Sequence, residues 1–95
     1  MTMLESIKKI INDYILELDK GIVIESEVMY GENKLEYALS TDEYMASVSI
    51  LSDYTYDFYA VEIESERTFM VKTKQFVSFD ELITELKKDI SGFSD

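Results

Sequence analysis

Glu62, Glu64 and Glu66 stand two residues apart, and so do Glu25 and Glu27. In an extended strand, residues two apart share a face, so each set lines carboxylates along one side of a sheet. Tyr54, Tyr56 and Phe58 share the parity of Glu62 and Glu64, with Asp57 among them. Three chemistries use carboxylates in this way. Paired acids can do general acid–base work. Clustered acids can hold a hard cation. Acids beside aromatic rings can dock a basic protein, with the rings as anchors and the charges steering the encounter.

The first two find little support in the sequence. The acids fall at exposed-looking positions with no obvious cleft. Asp53 and Asp57 are not spaced as in an EF-hand loop, and no Asp-rich run closing on Gly occurs. Three glycines and no His leave no phosphate-binding Gly-rich loop and no Ser–His–Asp set. The absence of Cys excludes disulfides, thiol nucleophiles, iron–sulfur sites and Cys-based zinc sites. The expectation is a protein with no catalytic residue, no metal and no cofactor, and therefore not an enzyme. The proposed contact set is Glu25, Glu27, Tyr54, Tyr56, Asp57, Glu62, Glu64 and Glu66. The alternative places Tyr56 and Phe58 in the core, with the glutamates only solvating an edge.

The charge supports docking. The chain of 95 residues carries 20 Asp and Glu against 9 Lys and Arg, a formal charge of −11. Residues 10–66 hold Lys20 and Lys34 against fourteen carboxylates, whereas residues 67–95 are balanced. The excess is therefore local. Glu17 and Asp19 sit near the end of the first helical stretch, where the helix dipole disfavours anions, and Asp13 and Glu17 are like charges at i, i+4. Acidity for solubility alone is the plain alternative. Either way, binding to phosphates or to an anionic membrane surface is disfavoured. No run approaches the length of a membrane span, and the N-terminus lacks the order of a signal peptide. A cytoplasmic protein is expected.

The elements that must position these residues can be read from periodicity. Leu4, Ile7, Ile11, Tyr14 and Leu18 form one helical stripe, capped by Thr2 and Glu5 and stopped by Gly21, which predicts a helix over 3–20. Ile22, Ile24, Val28 and Tyr30 read as one face of a strand. Residues 35–43 are ambiguous: Leu35, Tyr37 and Leu39 alternate, but Ser40-Thr41-Asp42-Glu43 is loop chemistry. Further strands are predicted over 44–51, 54–64 and 69–76. The alternation slips in 54–64, through coverage of both faces or a bulge. Ser78 and Glu81 cap a second helix, with Phe79, Leu82, Ile83, Leu86 and Ile90 as its stripe and Gly92 past its end. The prediction is a single α+β domain over 1–95. It has two layers, helix–four-stranded antiparallel sheet–helix (αββββα), with both helices on one sheet face and the other face open.

Three segments carry a resemblance: Ile24-Glu25-Ser26-Glu27, Ala46-Ser47-Val48-Ser49-Ile50, and Tyr56-Asp57-Phe58-Tyr59-Ala60-Val61-Glu62-Ile63-Glu64-Ser65-Glu66. Together with the helix opening at Ser78-Phe79-Asp80-Glu81, the chain over residues 20–88 resembles small bacterial immunity proteins of polymorphic toxin systems, and among them the TriTu-like immunity family. The resemblance implies an antidote that binds and neutralises a cognate toxin. Members are associated with ADP-ribosyltransferase toxins of type VI secretion and Rhs systems. The implied partner is a toxin with a basic surface. Two other readings stay open: an acidic nucleic-acid mimic, such as a phage inhibitor of a nuclease, and a small interaction domain with no toxin partner.

Overall fold

The first helix starts where its capping residues place it. Thr2 Oγ1 accepts from Glu5 N at 3.2 Å and Ser6 N donates to Thr2 O. The computed structural model describes residues 2–93. In it α1 spans Met3–Leu18 and buries Leu4, Ile7, Ile11 and Ile15. It stops short of Lys20 because Asp19 takes the left-handed conformation, φ 48 and ψ 45. Asp tolerates that region better than most side chains.

Five strands follow: β1 Val23–Tyr30, β2 Lys34–Ser40, β3 Tyr44–Leu51, β4 Thr55–Glu62 and β5 Thr68–Gln75. The expected four-stranded sheet thus has five strands. The extra one is the ambiguous stretch after the Gly31 turn. Leu35, Tyr37 and Leu39 of β2 are among the most buried residues of the chain. The alternation was the true signal there, and loop chemistry begins only at Thr41, whose Oγ1 accepts from Glu43 N and Tyr44 N. The sheet is an antiparallel meander in the order β1-β2-β3-β4-β5.

Cross-strand partners share a face, so the register sorts the sheet into two sides. On one side lie Leu35, Tyr37 and Leu39 of β2, Ala46, Val48 and Ile50 of β3, and Tyr56, Phe58 and Ala60 of β4, all buried with the apolar stripes of the helices. The second helix, α2, spans Phe79–Phe93 and buries Leu82, Leu86, Ile90 and Phe93. Ser78 Oγ accepts from Glu81 N at its start. The helix runs through Gly92 rather than ending before it, because the Phe93 ring packs against Phe58 at 6.0 Å between centroids. Lys87 Nζ lies 5.2 Å from the centre of the Tyr14 ring and links the two helices.

Two bulges correct the expected faces. One separates Ile24 from Ser26 in β1, so Glu25 is an extra residue. After it, Glu27 and Met29 turn toward the helices, while Val28 and Tyr30 turn away from them. The expected single face of Ile22, Ile24, Val28 and Tyr30 is therefore split. The other bulge makes Phe69 the extra residue of β5, opposite Ala60 and Val61. The slip suspected within 54–64 thus belongs to the partner strand. β4 itself alternates regularly, with Tyr59 and Val61 on the side away from the helices.

One polar network fastens α2 to the sheet. Asp89 is buried on the apolar stripe of α2. Its Oδ2 accepts from Tyr56 Oη at 2.8 Å and its Oδ1 from Lys72 Nζ at 3.0 Å. Lys72 also pairs with Glu85. Burial alone would lower the Lys72 ammonium pKa, but the hydrogen bonds to Glu85 and Asp89 outweigh it and hold the pKa above the ordinary value. Burial, then the Asp89 carboxylate, raise the Tyr56 phenol. The Lys72 hydrogen bond holds Glu85 below the usual carboxylate range.

Two outcomes are expected. Tyr56→Phe leaves a buried carboxylate oxygen without its donor and lowers stability by about 1–3 kcal/mol in urea denaturation. Glu85 has a lowered folded-state pKa, so its contribution is present above the unfolded value of 4.5 and is lost as pH falls through the folded value. The stability gap between the native chain and Glu85→Gln is therefore full near neutrality and closes in acid. A gap unchanged from neutral to acid pH contradicts this assignment.

Candidate functional site

The meander brings two loops to one end of the sheet. Val23 pairs with Ser40, Tyr44 with Glu62 and Val61 with Thr68, so the start of β1, the loop 41–43 and the turn 63–67 lie at the same end. The β3–β4 ladder runs on past its last pair, with Ile63 N donating to Glu43 O at 2.9 Å. Residues 19–22 link α1 to β1, so the C-terminal end of α1 with Glu17 arrives there as well. Asp42, Glu43, Glu62, Ile63 and Glu64 line a depression of about 310 Å³. Ile63 is 43% exposed, an apolar side chain set among four carboxylates. On the helix side of this end, Tyr44 and Phe69 stack at 4.6 Å between centroids with planes tilted by 41°. The β5 bulge delivers Phe69 to that contact, and its ring stays partly exposed.

The eight residues expected from sequence do not form one surface. Glu62 and Glu64 line the depression, and Glu66 is exposed in the same turn with φ 58. Glu25 sits in the β1 bulge near this end and accepts from Ser40 Oγ at 2.7 Å. Asp57 lies mid-sheet on the open face and accepts from Thr73 Oγ1 at 2.6 Å. The other three are elsewhere. Glu27 is turned beneath α1, where Lys8 Nζ lies 3.2 Å from its Oε1. Tyr54 occupies the β3–β4 turn at the opposite end, with φ 70, and packs against the core. Tyr56 is fully buried, its hydroxyl on Asp89. Shared parity did place Tyr56 and Phe58 with Glu62, but on the face that the helices cover.

Sequence reasoning missed Asp42, Glu43, Tyr44 and Phe69 as members of the site. Asp42 and Glu43 read only as loop, although any meander sets that loop beside the β4–β5 turn. Nothing local marks Phe69, because its position depends on a bulge. The cations lie largely elsewhere: Lys8 pairs with Glu27, Lys9 with Asp13, Lys34 with Glu36, and Lys72 with Glu85 and Asp89. Arg67 in the turn 63–67 and Lys20 before β1 do lie at this end, which is therefore not free of cations but keeps an excess of carboxylates over them.

What such an arrangement can do is bind a cationic surface. Among the described residues, no group of three or more acidic side chains is arranged to hold a metal ion. No described helix is long and apolar enough to cross a membrane. No family model, curated protein or solved structure matches the chain.

Carboxylates gathered in excess of the nearby cations Lys20 and Arg67 repel one another in the free protein. Neutralising one, by Glu43→Gln or Glu62→Gln, is expected to raise stability by a few tenths of a kcal/mol at low salt, on the scale of exposed like-charge pairs. The gain should shrink as salt screens the cluster. Thermal melts at two ionic strengths read it, and a loss of stability at low salt contradicts it.

Proposed function

We propose that this chain is an immunity protein that binds a cationic bacterial toxin and neutralises it by occupying its working surface, with no catalysis of its own. One observation carries the reading: Asp42, Glu43, Glu62 and Glu64 surround exposed Ile63 at one end of the sheet. Four acids around an exposed apolar side chain form a charged rim and an apolar centre that a partner can desolvate, the arrangement by which interfaces gain affinity at the middle and specificity at the edge. The steering field of the cluster accelerates encounter with a basic groove, and opposite charge selects the partner. The resemblance to TriTu-like immunity proteins supports the same reading and makes an ADP-ribosyltransferase of a type VI or Rhs system the proposed toxin. The proposed site of action is the cytoplasm of the producing cell.

Two experiments test this. Co-expression with the toxin encoded beside its gene should restore growth, and growth arrest despite stable expression of the chain counts against the function. With the purified toxin, Glu62→Lys together with Glu64→Lys should slow association about tenfold or more at low salt and far less at high salt. An association rate unchanged at low salt moves the interface away from this end.

A further inference from the structure

We infer that the open face of the sheet is the apolar half of the same interface, and that it takes a basic protein segment presenting aliphatic side chains flanked by Lys or Arg. The inference rests on the proposal that the partner is a cationic protein, and it adds where that protein lies and what it must present.

The open face of an antiparallel sheet is ordinarily polar where it meets water. Here the two cross-strand rows nearest the acidic end hold no charged residue. One runs Val23, Ser40, Met45, Val61 and Thr68, and the next Ser26, Ala38, Ser47, Tyr59 and Val71. Met45 is 47% exposed, Tyr59 46% and Val71 69%. These side chains adjoin one another across three central and edge strands, unlike Leu16 and Val77, which are exposed but lie outside the sheet. The serines Ser26, Ser40 and Ser47 lie toward β1 and β2, so the apolar part is Met45, Val61, Tyr59 and Val71 over β3–β5, about 14 by 14 Å from strand spacing and rise, room for one helix. A contiguous apolar patch with a polar rim marks an interaction surface.

Charge settles the occupant. Glu36 and Asp57 form the next row on one side of the band, the loops 41–43 and 63–67, acidic in balance with Arg67 as their one cation, close the other, and Glu25 stands at its β1 margin. Lys34, in the row beyond, is held by Glu36 at 2.8 Å. A second copy of this chain would bring two such acidic rims together, each chain carrying −11. A segment with aliphatic side chains between Lys or Arg residues instead matches the band and both rims.

The test uses peptides of defined sequence and the five methionines as reporters. Met45 lies on the open face, whereas Met29 packs against the core on the helix side. Methyl NMR is recorded as a 14-residue amphipathic Leu/Lys peptide is added to the intact protein, beside a Ser/Lys peptide of equal charge and a Leu/Glu peptide. The Met45 methyl should shift saturably with the Leu/Lys peptide while Met29 stays still. The Ser/Lys peptide should bind at least tenfold more weakly, and the Leu/Glu peptide not at all. Met45→Ser with Val71→Ser should weaken Leu/Lys binding at least tenfold as read by calorimetry, while Leu16→Ser leaves it unchanged. All three positions are exposed, and circular dichroism checks that the variants keep the fold. The inference is overturned if Met45 does not respond, if the Leu/Lys and Ser/Lys peptides bind alike, if the Leu/Glu peptide binds as well, or if sedimentation finds a dimer that Val71→Ser dissolves. The toxin separates this result from the function. A toxin bound normally by the Met45→Ser, Val71→Ser variant sinks the sheet-face inference and leaves the immunity reading standing. Peptide binding with no toxin bound sinks the immunity reading alone.

Discussion

Successive side chains of a strand point to opposite faces, and a chain of this size has two helices with which to cover one of them. The rest of the structure follows from that constraint. Three buried strands send Leu35, Tyr37, Leu39, Val48, Ile50, Tyr56 and Phe58 into one layer beneath α1 and α2. The opposite face is left without a cover, and the short connections of the meander stack at the two ends of the sheet. One end gathers the loop 41–43 and the turn 63–67, and both are acidic. The acidic end and the open face are thus two consequences of a single topology, and they adjoin.

The buried network under α2 shapes the surface as well as the core. Asp89 requires partners inside the protein, and it takes Lys72 and Tyr56. Truncating one partner of such a pair costs far more than the pair itself contributes. Its role is best understood as fixing how α2 sits on β4 and β5. It also draws a cation of β5 inward, away from the carboxylates at the end of the sheet. Lys8 does the same on α1 by pairing with Glu27. The local excess of negative charge therefore comes partly from composition and partly from where the cations are spent.

Much of this was legible in the sequence. The Thr2 and Ser78 N-caps, the helical stripes, the antiparallel α+β class and the open face follow from spacing and turn chemistry. The failures share a cause. Residue parity predicts a face only while the ladder is regular, and the Glu25 and Phe69 bulges each add one residue that no local pattern announces. That is why Glu25 and Glu27 part company, and why Phe69 reaches Tyr44. Tyr56 failed differently: its parity was right, but parity does not say which face the helices take. Asp89 could have been found, since it lies three residues after Leu86 and four before Phe93 on the apolar stripe of α2. The boundary of β2 was obscured because Ser40 ends the strand while Thr41 already begins a turn.

The central claim is that the loops 41–43 and 63–67, together with the sheet face beside them, form one surface for a cationic protein. Carboxyl-directed covalent footprinting of the chain, free and bound to the cationic toxin proposed as its partner, tests this most directly. Asp42, Glu43, Glu62 and Glu64 should lose reactivity on binding, while Glu5, Asp80 and Glu81 on the helices keep theirs. Protection of the helix carboxylates, with the four at the sheet end still reactive, contradicts the account.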